Sequence, residues 1–207
     1  MTRRTMMTAV GMAAVAAVAA GCSGGPGAAP ASTPPSSPAN ALPHSGAPKV
    51  DHPLPASVLS DDPCQEALTP AQLKEIIGIA PQGEHKDTAG LGPSCDWHNS
   101  DAGSLVTVSY TTESHAGLSG LYQNTKPKSQ VWRELPLIQG FPAVAAVAIG
   151  SDLTDQFCQV SVGIRDDLSF DATLVLGNAN RGKADPCELA PRVADMVVTN
   201  LRQKAGA

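Results

Sequence analysis

Between Ser23 and Pro55 the chain carries nine of its 18 prolines and no aromatic residue, and most of the remainder is Ala, Ser, Gly and Thr. Such a stretch cannot bury enough apolar surface to offset the conformational entropy lost on ordering, so it reads as an extended, polyproline-like spacer. Residues 22–56 are therefore expected to be a tether, with a reach of roughly 30 Å as a flexible chain and about 100 Å fully extended. Folding is confined to residues 57–207, about 150 residues, the size of one ordinary domain with one core. His44 and His52 lie in the spacer with no other ligand type at metal-site spacing and read as solvated.

What precedes the spacer is an address. Arg3 and Arg4, an apolar run from Ala9 to Ala20 and the sequence Val18-Ala19-Ala20-Gly21-Cys22 follow the order of a bacterial lipoprotein signal, with small side chains before the cysteine. Residues 1–21 are expected to be removed as a signal peptide and Cys22 to be lipidated with palmitate-type acyl chains. The run is too short and too rich in alanine for a transmembrane helix, which needs about 20 apolar residues. Two or more acyl chains hold a protein on a membrane where one is marginal. Thr2-Arg3-Arg4-Thr5-Met6-Met7 also resembles a twin-arginine export signal, although the general secretory route with two ordinary arginines is favoured. The expected location is the cell membrane, lipid-anchored on its extracytoplasmic face.

Loss of Arg3 and Arg4 with the signal lowers the basic residues from 14 to 12 against 19 acidic ones, a net charge of −7. That balance argues against nucleic acid or anionic lipid as a partner of the domain.

Within the domain, Cys158, Val160, Val162 and Ile164 alternate with polar residues or glycine. After Arg165-Asp166-Asp167, so do Leu168, Phe170, Ala172, Leu174 and Leu176, which together reads as a β-hairpin with one buried face. Val106, Val108 and Tyr110 mark another strand, Ala143–Ile149 a further one, and Val131–Leu137 a fifth, ended by Pro136. Short connections without crossover helices predict a mainly antiparallel sheet. Asp185, Pro186 and Glu188 predict an N-cap, a first-turn proline and a capping box for a final helix with its stripe at Leu189, Val193, Met196, Val197 and Leu201. The same grammar occurs at Asp62-Pro63 and at Thr69-Pro70-Ala71-Gln72, leading into Leu73, Ile76 and Ile77, with Gly78 as the stop. The expectation is an α+β domain, an antiparallel sheet with a helix near each end.

Cys64, Cys95, Cys158 and Cys187 form an even set in an exported domain, so two disulfides are expected. Three pairings are open and spacing alone does not choose among them. Cys64–Cys95 with Cys158–Cys187 is favoured because it closes shorter loops and ties each terminal helix to a neighbouring strand. Redox chemistry has a motive in Cys64 and Cys187, both near helix N-termini, but neither belongs to a CxxC. Zinc would need paired short spacings that are missing.

The order Asp62-Pro63-Cys64, Thr69 and Leu73, Cys95-Asp96-Trp97, Gly140-Phe141-Pro142-Ala143-Val144, Cys158-Gln159-Val160 and Asp185-Pro186-Cys187 before a final helix resembles the actinobacterial lipoproteins of domain-of-unknown-function 3558. The resemblance spans the whole domain, and the lipobox and proline-rich tether are similar too. It implies an actinobacterial envelope lipoprotein and carries over no activity or catalytic residue.

Several groups invite a functional reading. Gly177-Asn178-Ala179-Asn180-Arg181-Gly182-Lys183 has the spacing of a phosphate loop. However, Ala184 stands where Ser or Thr would hold magnesium, Asp185 would put a negative charge beside the phosphates, and the preceding strand belongs to a hairpin. Asp96, His98 and Asp101 around Trp97 fit no metal-ligand spacing, and His85 and His115 stand alone. No GxSxG, SxxK or HExxH occurs. Trp132, Tyr122 and Phe141 are the candidate binding surface, with core packing as the competing role. No cofactor or metal is expected. The leading reading is a non-catalytic binding or accessory module whose partner is an envelope protein or a small apolar or cell-wall ligand. The alternative is an extracytoplasmic thiol-redox or hydrolytic enzyme.

Overall fold

Seven strands pair antiparallel throughout in one sheet of the computed structural model, which describes residues 41–150 and 154–207, all within a unit spanning Pro38–Ala207. The strands are β1 (Glu84–Thr88), β2 (Gly92–Asn99), β3 (Ser104–Thr111), β4 (Ser129–Ile138), β5 (Phe141–Ala148), β6 (Phe157–Gly163) and β7 (Ser169–Val175). Their order across the sheet is β1-β2-β3-β7-β6-β5-β4. The helices are α1 (Pro63–Glu66), α2 (Pro70–Ile77), α3 (Gly117–Asn124) and α4 (Pro186–Ala205). The chain leaves β3 near the middle of the sheet, forms α3, re-enters at the far edge as β4 and works inward until β7 closes on β3. The α+β architecture is as expected. The signal segment, Cys22 and the first part of the tether lie outside the described residues.

One face of the sheet holds the main core. Val106, Val108 and Tyr110 of β3, Cys158, Val160 and Val162 of β6, and Phe170, Ala172 and Leu174 of β7 are all buried. They pack with Ala190, Val193, Ala194, Val197, Val198 and Leu201 of α4 in one cluster. The period of two in the strands and of about 3.6 in the helix bring these sets face to face. On the other face Leu118 and Tyr122 of α3 pack on Val144 in a second, smaller cluster.

The helix ends follow local chemistry. Thr69 and Gln72 form the reciprocal capping box of α2, and Gly78 closes it at φ 82° in the left-handed region, where a Cβ would be strained. In α4, Asp185 caps and Pro186 opens the first turn, but Glu188 does not return the bond that a capping box requires. Asp185 instead accepts the Cys187 N–H at 2.8 Å and the Arg133 guanidinium at 2.7 Å, a tie from the helix start to edge strand β4. Strands β1 and β2 and helix α3 had no strong signal: β1 is fully exposed and charged, and α3 contains Gly117 and Gly120. The edges β1 and β4 carry charged or proline residues at Glu84, Lys86, Arg133, Glu134 and Pro136, which discourages further strand pairing. β4 also runs past Pro136 through a register shift, where an end at the proline was expected.

The folded unit begins earlier than Ser57. Val50 and Leu54 are buried, the Val50 N–H donates to Asp166 Oδ1 at 2.8 Å, and the Leu54 N–H donates to the Ile164 carbonyl at 3.1 Å. Gly163 makes room for this strap, since a Cβ there would lie 3.0 Å from Leu118 and 3.5 Å from Val50. Two apolar residues and paired backbone groups suffice to hold a proline-rich segment on an existing surface, although the segment could not fold alone.

Candidate functional site

A groove of about 570 Å³ opens on the helical side, where the C-terminal end of α2, the β2–β3 turn, the end of β7 and the first turns of α4 meet. Ile76, Ile77, Leu174, Leu176, Leu189 and Val193 make it largely apolar. Leu189 is 41% exposed, so the outer edge of the α4 stripe faces the opening instead of the core. The volume falls within the roughly 300–1,000 Å³ typical of small-molecule sites.

Polar ties hold the walls. Asn99, buried, donates from Nδ2 to the Ile77 carbonyl at 2.7 Å and accepts the Ala102 N–H at 3.1 Å, linking α2 to the turn. The Asn178 N–H donates to the Ala102 carbonyl at 2.8 Å, and a Cβ on Gly177 would sit 2.7 Å from that same carbonyl, so the close approach needs glycine. Across the mouth, the Arg192 guanidinium of α4 pairs with the Glu75 carboxylate of α2; the arginine side chain is largely in solvent and the glutamate nearly half so. An exposed pair of this kind contributes only about 0–1 kcal/mol, so Arg192 is free to turn toward a ligand at small cost.

The three candidate aromatics, for which core packing was the competing role, lie on two faces of the sheet. Phe141 is buried in the main core at 4% exposure, whereas Tyr122 and Trp132 belong to the cluster on the opposite face. Tyr122 is itself buried, Trp132 is half-buried, and the two rings stack edge to face with centroids 5.1 Å apart. Lys126 lies over both rings, 4.7 Å from one centroid and 5.4 Å from the other, and caps the pair against solvent.

The Gly177–Lys183 segment does not form a phosphate cradle. The amides of Asn178, Asn180, Arg181, Gly182, Lys183 and Ala184 already donate to carbonyls of Ala102, Gly177, Asp155 and Asn180, so they cannot converge on an anion. Its first half walls the groove instead. Asp96 is likewise committed: Lys86 donates to Oδ2 at 2.7 Å and Thr107 to Oδ1 at 2.6 Å. Burial pushes the Asp96 carboxyl up, but these two bonds hold it below the ordinary range. His98 is exposed on the same strand, and Asp101 lies apart at the groove rim. His115 is exposed in a loop at φ 48°.

The disulfides are Cys64–Cys95 and Cys158–Cys187, the favoured pairing, so these four sulfurs are not free thiols. Asp62, Cys64 and His85 bring ligand-type atoms within 4.8 Å of one another, but the Cys64 sulfur is in the disulfide. Cys64 is partly exposed while Cys158 and Cys187 are buried, so a mild reductant is expected to open Cys64–Cys95 first. Peptide mapping under graded reduction tests this, and simultaneous opening of both would contradict it.

Beside that disulfide, His85 Nδ1 lies 2.9 Å from Asp62 Oδ1. The bond to Asp62, then that to Asp87, raises the imidazole above 6.5, and the bond from His85 lowers Asp62 below 3.8. The stabilisation from His85 is therefore fully present below pH 6.5 and lost as pH rises through its raised value. That from Asp62 is present above pH 3.8 and lost as pH falls through its lowered value. Asp62→Asn is expected to bring the His85 titration back toward 6.5 in an NMR pH series; an unchanged midpoint would rule out the pairing.

The groove residues were legible as helix and strand stripes, but not as a groove, because no periodicity marks where two stripes diverge. The family model described as protein of unknown function (DUF3558) matches residues 17–200, and the chain belongs to that family. No curated protein and no solved structure matches it.

Proposed function

We propose that this member of the DUF3558 family is a lipid-anchored, non-catalytic binding module of the cell envelope that captures a small, mainly apolar ligand in the groove between α2, α4 and the end of β7. The groove's size and apolar walls carry the reading, since an accessory domain docking only a protein would call for a flat patch. Arg192 and Glu75 at the mouth supply polar groups that could orient a ligand's head. The lipobox at Cys22 and two disulfides in the domain fit a protein held outside the cytoplasmic membrane. Among the described residues no helix is long and apolar enough to cross a membrane; the anchor in this reading is the lipidated Cys22.

Native mass spectrometry of the full chain, extracted from its own membranes in mild detergent, tests the groove. A co-purifying small molecule is expected, with occupancy falling at least about tenfold in Ala179→Trp, which places a bulky ring at the exposed groove wall. Equal occupancy in the variant, or no bound molecule in a folded wild type, would remove the ligand-capture reading. Cys22→Ala is expected to shift the protein from the membrane to the soluble fraction; continued full membrane partition would overturn the anchor.

A further inference from the structure

The sheet face opposite α4 carries a second, chemically different surface. Across β2, β3, β7 and β6, one row of directly paired residues reads Ser94, Ser109, Asp171 and Ser161, and the next reads Asp96, Thr107, Thr173 and Gln159. Neighbouring strands lie about 4.8 Å apart, so polar side chains recur at close intervals over four strands. Asp171 sits on β7, the central strand, and is partly buried.

Among the described residues its side-chain partners are uncharged. The Ser161 hydroxyl donates to Oδ1 and the Thr111 hydroxyl to Oδ2 at 3.5 Å. Lys86, on the outer strand of the same row, is taken by Asp96 at 2.7 Å, and among the described residues no cation pairs with Asp171. Two residues along β7, Ser169 is fully buried on the same face with no partner for its hydroxyl. Burial, the dominant influence, pushes the Asp171 carboxyl up. A carboxyl in such a place is stabilised in its charged form by an opposite charge brought to it.

We infer that the half-exposed part of this face, beside the area covered by α3, binds the primary ammonium group of a small hydroxylated ligand, with Asp171 as the counter-charge and the hydroxyls of Ser109 and Thr173 as flanking acceptors. An ammonium group has three donors and no acceptor, which suits one carboxylate ringed by hydroxyl oxygens. A divalent cation is a poorer match, because calcium and magnesium sites gather several oxygen ligands and more negative charge. The ligand's own hydroxyls would meet Gln159 and Thr107 in the adjacent row. The groove lies on the other face, so this site is independent of it.

The test is calorimetric titration of the full lipidated chain in detergent with glucosamine, ethanolamine and, as the uncharged control, N-acetylglucosamine. Binding of glucosamine or ethanolamine is expected, at least about tenfold weaker in Asp171→Asn and for N-acetylglucosamine. Glucosamine alone would point to a cell-wall sugar as the source, and ethanolamine alone to a lipid headgroup; either supports the site. Asparagine keeps an acceptor for Ser161, so the variant should fold. In the wild type, carboxyl NMR should show the Asp171 titration moving down when the amine is present, with binding strengthening as pH rises through it. Equal binding by Asp171→Asn, equal binding of N-acetylglucosamine, or an unmoved Asp171 titration would each overturn the assignment.

Discussion

Conversion of Cys158 and Cys187 together to alanine is expected to lower the free energy of unfolding by roughly 3–4 kcal/mol, the loop-entropy value for a bridge spanning 29 residues. The link joins β6 to the first turn of α4, which is where that helix must be held so that Val193, Val197 and Leu201 meet the sheet. Both half-cystines are buried, so truncation also removes packed sulfur from the core. Single domains are stable by only about 5–15 kcal/mol, so the variant should unfold at clearly lower guanidinium concentration, with the midpoint in a thermal scan falling by about 10 °C. A change below about 1 kcal/mol would mean that the apolar stripe of α4 holds the helix without the bridge.

The second large effect is expected at Trp97, whose replacement by alanine should cost about 3–5 kcal/mol. Trp97 is 1% exposed on β2, paired with Val106. Its indole lies beside the Cys64–Cys95 bridge: a Cβ on Gly83 would come within 2.8 Å of Trp97 Nε1 and 2.9 Å of Cys64 Sγ. The indole and the bridge therefore fill one space behind β1, and Gly83 is small because that space is already full. Trp97→Phe should recover part of the loss, and Gly83→Val should be strongly destabilising by overpacking at the same place. Equilibrium denaturation of the three variants checks this, and a Trp97→Ala loss under about 1 kcal/mol would show that the pocket collapses without cost.

Only part of the candidate sites was legible in the chain. The alternation in β3, β6 and β7 announces which side chains face a core, since a period of two leaves no other choice. It also leaves Ser109, Asp171 and Ser161 on the remaining face, but their lateral alignment depends on strand order and register, which the pattern of one strand does not contain. The aromatic candidates separate for a related reason: Tyr122 and Phe141 are close in sequence, yet α3 delivers one to the second face while β5 delivers the other to the main core.

By itself the sequence determined the α+β class and the starts of α2 and α4. These depend on composition and on contacts within a few residues. The disulfide partners were narrowed in the sequence and settled by the fold. The tertiary structure alone decided that Val50 and Leu54 join the core, that β1 and β2 extend the sheet, and that a groove opens between α2 and α4. Each of these comes from surfaces meeting across tens of residues, where shape and register, not local preference, determine which contacts form.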